Sequence, residues 1–351
     1  MSNRMNSQNV AFGLFILLTL AIAPQTLMAE ASTLDTACVM QMAEEADATT
    51  TIADIRNRCR SSEPMVAAES QTEAGDAEVA EESVVEERLA IDRESVARPF
   101  TLMAHKPNYF LFGVWNAEGW NPDLFREQFD EPDYENDDIE AQFQISLKVP
   151  LAIGLFNDHM DIYGAYTNRS FWQVYNGDWS RPFRETNHEP ELWAQFKNDW
   201  TFGGITNSVN SVGIVHQSNG RGGVLSRSWN RVYGNFVFQR GRWAFGIKPW
   251  VWLKEDREDS DNPDITEYLG HGEMRLAYAR HDHVFSMMSR NNLESGFDRG
   301  ALELAWSFPV FGYPYLKGYV QYFYGYGESL VDYNQRVNRI GVGISLTDWL
   351  D

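Results

Sequence analysis

A histidine and a serine stand two residues apart in Ile214-Val215-His216-Gln217-Ser218, at the end of an alternating run. The glycine-rich loop Asn219-Gly220-Arg221-Gly222-Gly223 follows, and Asn230 begins the next alternating run. These types suit nucleophilic catalysis. A serine hydroxyl needs an adjacent base, histidine supplies one, and an amide can orient the imidazole. Side chains at i and i+2 of a strand share a face, so His216 and Ser218 point the same way. Val212 and Ile214 share their parity, and Ser211, Gly213 and Gln217 take the other. On the return, Asn230 shares parity with Val232, Phe236 and Phe238, opposite Arg231, Asn235 and Gln239. All three polar groups thus extend an apolar face. The plainer alternative is an ordinary polar loop, since a lone His-x-Ser pair is common and such segments join strands everywhere. The matched parity and the hairpin that would bring the two runs together favour a site.

The elements that must position these groups read as strands. The chain has 351 residues, a net charge of −21, and 14% aromatic residues, including 12 Trp and 15 Tyr. Mean hydropathy is −0.42. Beyond the N-terminus no apolar run is long enough to span a bilayer as a helix. Many aromatics and alternating strands at low hydropathy suit a transmembrane β-barrel, with a soluble all-β protein as the competing class. The acidity argues against a nucleic-acid partner.

Ile139–Val149 shows the wall pattern best. Ile139, Ala141, Phe143, Ile145, Leu147 and Val149 alternate with Glu140, Gln142, Gln144, Ser146 and Lys148. The same reading predicts strands over 107–116, 139–149, 160–174, 189–200, 207–218, 229–239, 242–253, 266–280, 282–291, 299–309, 315–326 and 337–348. Short turns such as Arg240-Gly241 and Arg280-His281 suit the periplasmic side. The longer connections 117–138, 175–188, 219–228, 254–265, 292–298 and 327–336 suit the outside. The expected fold is all-β: a 12-stranded antiparallel transmembrane barrel over residues 98–351, with a short N-terminal periplasmic extension.

Residues 1–29 read as a secretory signal peptide: Arg4 in the n-region, an uncharged apolar stretch from Val10 to Ala23, and small residues at Ala29 and Ala31 for cleavage. Residues 30–97 form the extension. Short amphipathic helices are expected over Thr36–Glu45 and Thr51–Arg60, clamped by a Cys38–Cys59 disulfide in an oxidising compartment. Residues 63–95, with Glu81, Glu82, Glu86 and Glu87 crowded together, read as a solvated linker or a weak helix.

Several blocks occur in an order similar to that of bacterial outer-membrane phospholipase A. They are Ser180-Arg181-Pro182-Phe183-Arg184-Glu185-Thr186-Asn187-His188-Glu189-Pro190, His216-Gln217-Ser218-Asn219-Gly220-Arg221, Ser226-Arg227-Ser228-Trp229-Asn230-Arg231, Asp261-Asn262-Pro263-Asp264-Ile265-Thr266 and Tyr326-Gly327-Glu328-Ser329-Leu330. They span nearly all of residues 98–351, and 30–97 fall outside the resemblance.

The resemblance implies a barrel lipase of the bacterial outer membrane, with Ser218 as nucleophile, His216 as general base and Asn230 as the group orienting the imidazole. A neutral amide there avoids desolvating a carboxylate at a membrane boundary. The developing oxyanion needs donors, and the Gly220 amide is the best candidate because no side chain blocks approach. The resemblance also implies Ca2+ at a dimer interface: the Ser226 hydroxyl, the Arg221 carbonyl, and Ser180 from the partner subunit. Neutral oxygens suit a hard cation. Implied substrates are phospholipids and lysophospholipids, with A1, A2 and lysophospholipase activity, and the homodimer is the active form. Two positions depart from the family pattern. Gly222-Gly223 stands where members carry an acidic residue of a second calcium site, and Asn168 stands where members carry a Gln at the dimer contact. The rival reading is a non-enzymatic channel or structural barrel, because Glu140, Gln144, Lys148, Arg242 and Lys248 could line a pore as readily as cross-link a closed interior.

Overall fold

The structure is a computed structural model that describes residues 83–253, 261–292 and 295–350. The expected signal peptide, the two short helices and both cysteines lie outside the described residues.

The chain opens with helix α1 (Val84–Val96), then β1 (Met103–Ala104), β2 (Asn108–Asn116), helix α2 (Asp123–Phe129), β3 (Ile139–Gly154), β4 (Met160–Trp172), β5 (Phe183–Phe202), β6 (Ile205–Ser218), β7 (Ser228–Arg240) and β8 (Trp243–Leu253). A helical turn α3 (Ile265–Leu269) precedes β9 (Gly272–Arg280), β10 (His283–Asn291), β11 (Gly300–Val310), β12 (Tyr313–Gly325) and β13 (Val337–Thr347). Each of β2 to β13 pairs antiparallel with its chain neighbour, and β13 returns to β2. The wall is a closed barrel of twelve strands. The two-residue β1 pairs with Lys148 and Leu147 of β3, beyond the point where the β2–β3 pairing stops. Closure leaves the wall strands no free edge, the one way a sheet can satisfy its backbone in hydrocarbon.

The polarity of the wall is inverted relative to a water-soluble protein. On β3, Glu140, Gln142 and Ser146 are fully buried, whereas Ile145 and Leu151 are more than half exposed. On the outer face of β6, Val212 and Ile214 stand out, and Val251 on β8 is 66% exposed. Such a surface is stable against lipid tails, with a polar interior.

The interior is cross-linked by charge. Arg184 binds Glu140 at 2.9 Å and also reaches Asp332. Arg169 and Arg339 share Glu328. Lys106 and Lys248 both reach Glu191, at 2.7 and 3.2 Å. Lys148 binds Asp92, Arg242 binds Glu87, and Gln144 donates to the Pro107 carbonyl. The charged residues whose parity suggested either a pore or a closed interior are thus committed to partners. A cavity of about 390 Å³ remains among them. At the end with the long connections, Ile265, Leu269, Leu330 and Tyr333 pack on Trp229 and Trp250. Phe125 of α2 packs with Leu225 and Val331 in the same region.

Three stretches differ most from the sequence reading. The strand expected over 266–280 begins only at Gly272, because Ile265 and Leu269 turn inward at helical spacing and Gly270 ends the turn at φ 64. β5 begins at Phe183 rather than 189. Its first residues look like loop in sequence because they are polar, yet Arg184 and Glu185 are fully buried against charged partners. Finally, the end of the expected linker or weak helix is a docked helix. Ser83 caps α1 by accepting from Glu86 N, and Val84 and Val85 pack with Ala279 and Val284. Val84 N donates to the Gly241 carbonyl, which places α1 at the short-turn end of the barrel.

Candidate active site

β6 and β7 are paired in register from Thr206↔Gln239 to Ser218↔Ser228, with one irregularity near Asn207. That register sets His216 directly across from Asn230. Their side chains meet on the outer face, with His216 Nδ1 2.8 Å from Asn230 Oδ1. An amide oxygen only accepts, so Nδ1 carries the proton and Nε2 is left with a lone pair. That is the tautomer a general base requires.

Ser218 is the last residue of β6, on the same face as His216. Adjacent same-face residues of a strand have Cα atoms roughly 6.5 Å apart. Among the described residues no hydrogen bond joins Ser218 to His216. Catalytic contacts of this kind commonly tighten only when substrate binds. On the apolar outer face, Ile214, Val212, Leu192 and Val251 lie below the site and Leu253 stands level with Asn230, all exposed.

The opposite face of the same residues forms a support. Gln217 Oε1 accepts from Trp229 Nε1 at 2.8 Å and from Arg231 Nη2 at 3.1 Å. The Arg231 guanidinium lies 4.0 Å from the Trp229 ring centroid. Buried on the inside, this cluster ties β6 to β7 directly behind His216, Ser218 and Asn230 and resists any slip of their register.

Asn219 organises the loop that follows. Its Nδ2 donates to the Leu225 carbonyl at 2.7 Å, while its Oδ1 accepts from Arg221 N and Arg227 N. Gly220 sits at φ 62, a left-handed conformation that glycine adopts without strain. Arg221 Nη2 donates to the Phe183 and Arg184 carbonyls, fastening the loop to β5.

Of the expected calcium ligands, Arg221 and Ser226 share the β6–β7 connection, and Ser180 stands in the β4–β5 connection at φ 59. Asp261 joins them unforeseen: Ser226 Oγ donates to its Oδ2 at 2.6 Å. The signal was present in the quoted Asp261-Asn262-Pro263 block, but its contact with Ser226 spans two connections. No group of three or more His, Cys, Asp or Glu side chains gathers at a point among the described residues. Hydroxyl, carbonyl and carboxylate oxygens are the donor types that suit a hard divalent cation; of the three, the Ser226 hydroxyl and the Asp261 carboxylate are in direct contact. His188 is the second residue that sequence reasoning passed over. It pairs with Ser218 in the β5–β6 register.

A family model for phospholipase A1 matches residues 85–346. The chain belongs to the phospholipase A1 family. That match includes α1, which the sequence reading left outside the resemblance. The Klebsiella pneumoniae phospholipase A1 is 37% identical over 252 residues, covering 71% of this chain and 84% of that protein. The Escherichia coli outer-membrane phospholipase A structure superimposes with a TM-score of 0.65 at 36% identity, covering 71% of this chain and all of that one. A Salmonella typhi outer-membrane phospholipase dimer with bound calcium matches at 34% identity with a TM-score of 0.67, covering 74% of this chain and 98% of that one. Family and closed barrel together make this chain a phospholipase of the bacterial outer membrane.

Proposed function

We propose that the protein is a calcium-dependent phospholipase that hydrolyses acyl esters of glycerophospholipids at the outer membrane, with A1, A2 and lysophospholipase activity, and that it acts as a homodimer. The observation that carries this reading is the His216–Asn230 hydrogen bond on the lipid-facing side, with Ser218 on the same face of the same strand. Ser218 is the nucleophile. His216 Nε2 takes its proton as Oγ attacks the acyl carbon, then returns it to the departing glycerol oxygen. Asn230 holds the imidazole in the productive tautomer. The Gly220 amide donates to the oxyanion, and the left-handed backbone there keeps the approach clear of a side chain. Water hydrolyses the acyl-serine by the same relay.

Calcium would be held by the Ser226 hydroxyl, the Arg221 carbonyl and Ser180 of the partner subunit, with Asp261 the one carboxylate in contact with Ser226. When bound, it supplies electrophilic stabilisation to the oxyanion. A solved Salmonella typhi relative is a dimer with bound calcium, and another solved relative is an asparagine-to-alanine active-site mutant of the Escherichia coli enzyme. Both support the reading. The outward placement of the site means that substrate enters from the lipid, while the lumen is occupied by paired charges.

Fatty-acid release from phospholipid in detergent micelles tests the assignment. Wild-type protein should be active with Ca2+ and inactive with chelator, and Ser218→Ala should be inactive in both. Undiminished release from folded Ser218→Ala would remove the triad.

A further inference from the structure

Ser218 stands between two imidazoles. His216 lies two residues back on its own strand, and His188 is the residue of β5 directly across from it in the β5–β6 register. Directly paired residues of antiparallel strands share a face, with Cβ atoms about 4.5–5.5 Å apart.

The two rings are held differently. His216 is bound through Nδ1 to Asn230. His188 is bound through Nδ1 to Tyr166 Oη, 2.6 Å away on β4, and its ring lies over the Tyr166 ring with centroids 6.2 Å apart and planes at 26°. A phenol oxygen can donate or accept; with the Tyr166 hydroxyl donating to Nδ1, the imidazole proton sits on Nε2. That nitrogen faces the loop after Ser218. The atoms nearest to where a Gly220 Cβ would stand are His188 Cδ2 at 3.8 Å and Nε2 at 3.9 Å. Ser218, Gly220 and an N–H donor on a ring clamped by Tyr166 are therefore gathered on one patch of the outer face.

The geometry points to His188 as a second oxyanion donor, its Nε2–H acting beside the Gly220 amide on the oxygen that becomes negative when Ser218 attacks the acyl ester. This rests on the triad reading above. In that step Oγ bonds to the acyl carbon, the Oγ proton passes to His216 Nε2, and the carbonyl π pair moves onto oxygen. The oxygen accepts from Gly220 N–H and His188 Nε2–H. On collapse the pair returns, the bond to the glycerol oxygen breaks, and that oxygen takes the proton from His216. His188 keeps its proton throughout, so it is no rival base. A donor fixed before reaction and aimed where charge develops favours the transition state over the ester ground state.

The competing explanation for His188 is packing against Tyr166, and the variants separate the two. His188→Phe keeps a flat ring but has no donor; His188→Gln keeps an N–H donor. Each is purified in micelles, checked for the heat-modifiable barrel, and assayed with Ca2+ on a diacyl phospholipid and on a neutral p-nitrophenyl acyl ester. His188→Phe should lower kcat on both esters by roughly 10²-fold, with KM unchanged, and His188→Gln should recover most of the loss. Tyr166→Phe, which frees the tautomer, should give a smaller kcat loss in the same direction. Wild-type kcat in His188→Phe overturns the inference, as does an equal loss in both His188 variants or a change confined to KM. If His188→Phe fails to assemble, wild-type kcat in Tyr166→Phe together with a lowered kcat in His188→Gln overturns it. Ser218→Ala in the same assay keeps the two readings apart. Undiminished turnover there removes the triad, whereas a strongly impaired Ser218→Ala beside a fully active His188→Phe removes only the second donor.

Discussion

Lys148 on β3 and Asp92 on α1 form an ion pair of 2.5 Å, with only about a tenth of either side chain exposed, at 9% and 10%. Arg88 approaches the same carboxylate at 3.6 Å and donates to the Ala104 carbonyl. The helix that precedes the barrel is thus tied into the lumen by charge. Asp92→Ala leaves two cations facing a site with no counterion. Breaking a buried pair from one side costs about 3–5 kcal/mol, so the urea midpoint in micelles should fall clearly. Replacing both partners by apolar residues, Asp92→Leu with Lys148→Met, should recover much of the loss. A wild-type urea midpoint in Asp92→Ala would show that the pair contributes nothing.

The same contact sets the limit of N-terminal truncation. A chain beginning at Ser83 behind a working signal peptide should insert and hydrolyse lipid as well as the full chain. One beginning at Arg98 should assemble but unfold at lower urea, because the partners of Lys148, Arg242 and Gln239 have gone. Identical unfolding curves for the two would make α1 a passive segment.

In the proposed triad, the three substitutions should not be equal. Ser218→Ala and His216→Ala remove a reacting group and should lower kcat towards background, by roughly 10⁶-fold in comparable triads. Asn230→Ala removes only orientation, and a misplaced base costs on the order of 10²-fold. Steady-state hydrolysis by the three variants gives the ranking. A loss in Asn230→Ala as deep as that in His216→Ala would mean that Asn230 does more than hold a tautomer.

Asp261 should matter for calcium rather than for folding. It is the carboxylate that Ser226 contacts, so Asp261→Asn and Ser226→Ala should each raise the Ca2+ concentration that half-activates hydrolysis, by about tenfold for a change near 1.4 kcal/mol. Maximal kcat at saturating Ca2+ should be nearly preserved. A lowered plateau with an unchanged midpoint would place Asp261 outside the ion's surroundings.

Ser180 tests the link between metal and assembly. If the partner's Ser180 completes the calcium site, calcium binding and dimerisation strengthen each other by one common factor. Ser180→Ala should then weaken calcium activation and cross-linking yield together, titrated in the same micelles, while leaving the monomer barrel intact. Full activity at protein-to-micelle ratios that hold only monomers would sink the mechanism.

What the chain's order of residues determined by itself was local. A strand repeats every two residues, so Ile139–Val149 declared both its inner and its outer face, and the strands expected at 207–218 and 229–239 lie within β6 and β7. The shared face of His216 and Ser218 needs nothing but that period. Asn230 needed only the adjacent hairpin. Alternation repeated along the chain, with the family resemblance, pointed to the barrel class, and the closed wall showed that the apolar faces turn outward.

What only the tertiary structure decided were the pairings between distant residues. Polar residues inside a barrel carry no periodic signature of their partners. Arg184 therefore looked like loop until its contacts with Glu140, on a strand two places round the wall, and with Asp332 gave its charge a counterion. The end of the acidic stretch before Arg98 looked solvated until Asp92 met Lys148. His188 faces Ser218, and Asp261 meets Ser226, because the register of β5 on β6 and the fold of two separate connections place them there. Register depends on the turns and bulges accumulated along each strand. One extra residue reverses every side chain beyond it, so these contacts become determinate only once the whole wall has closed.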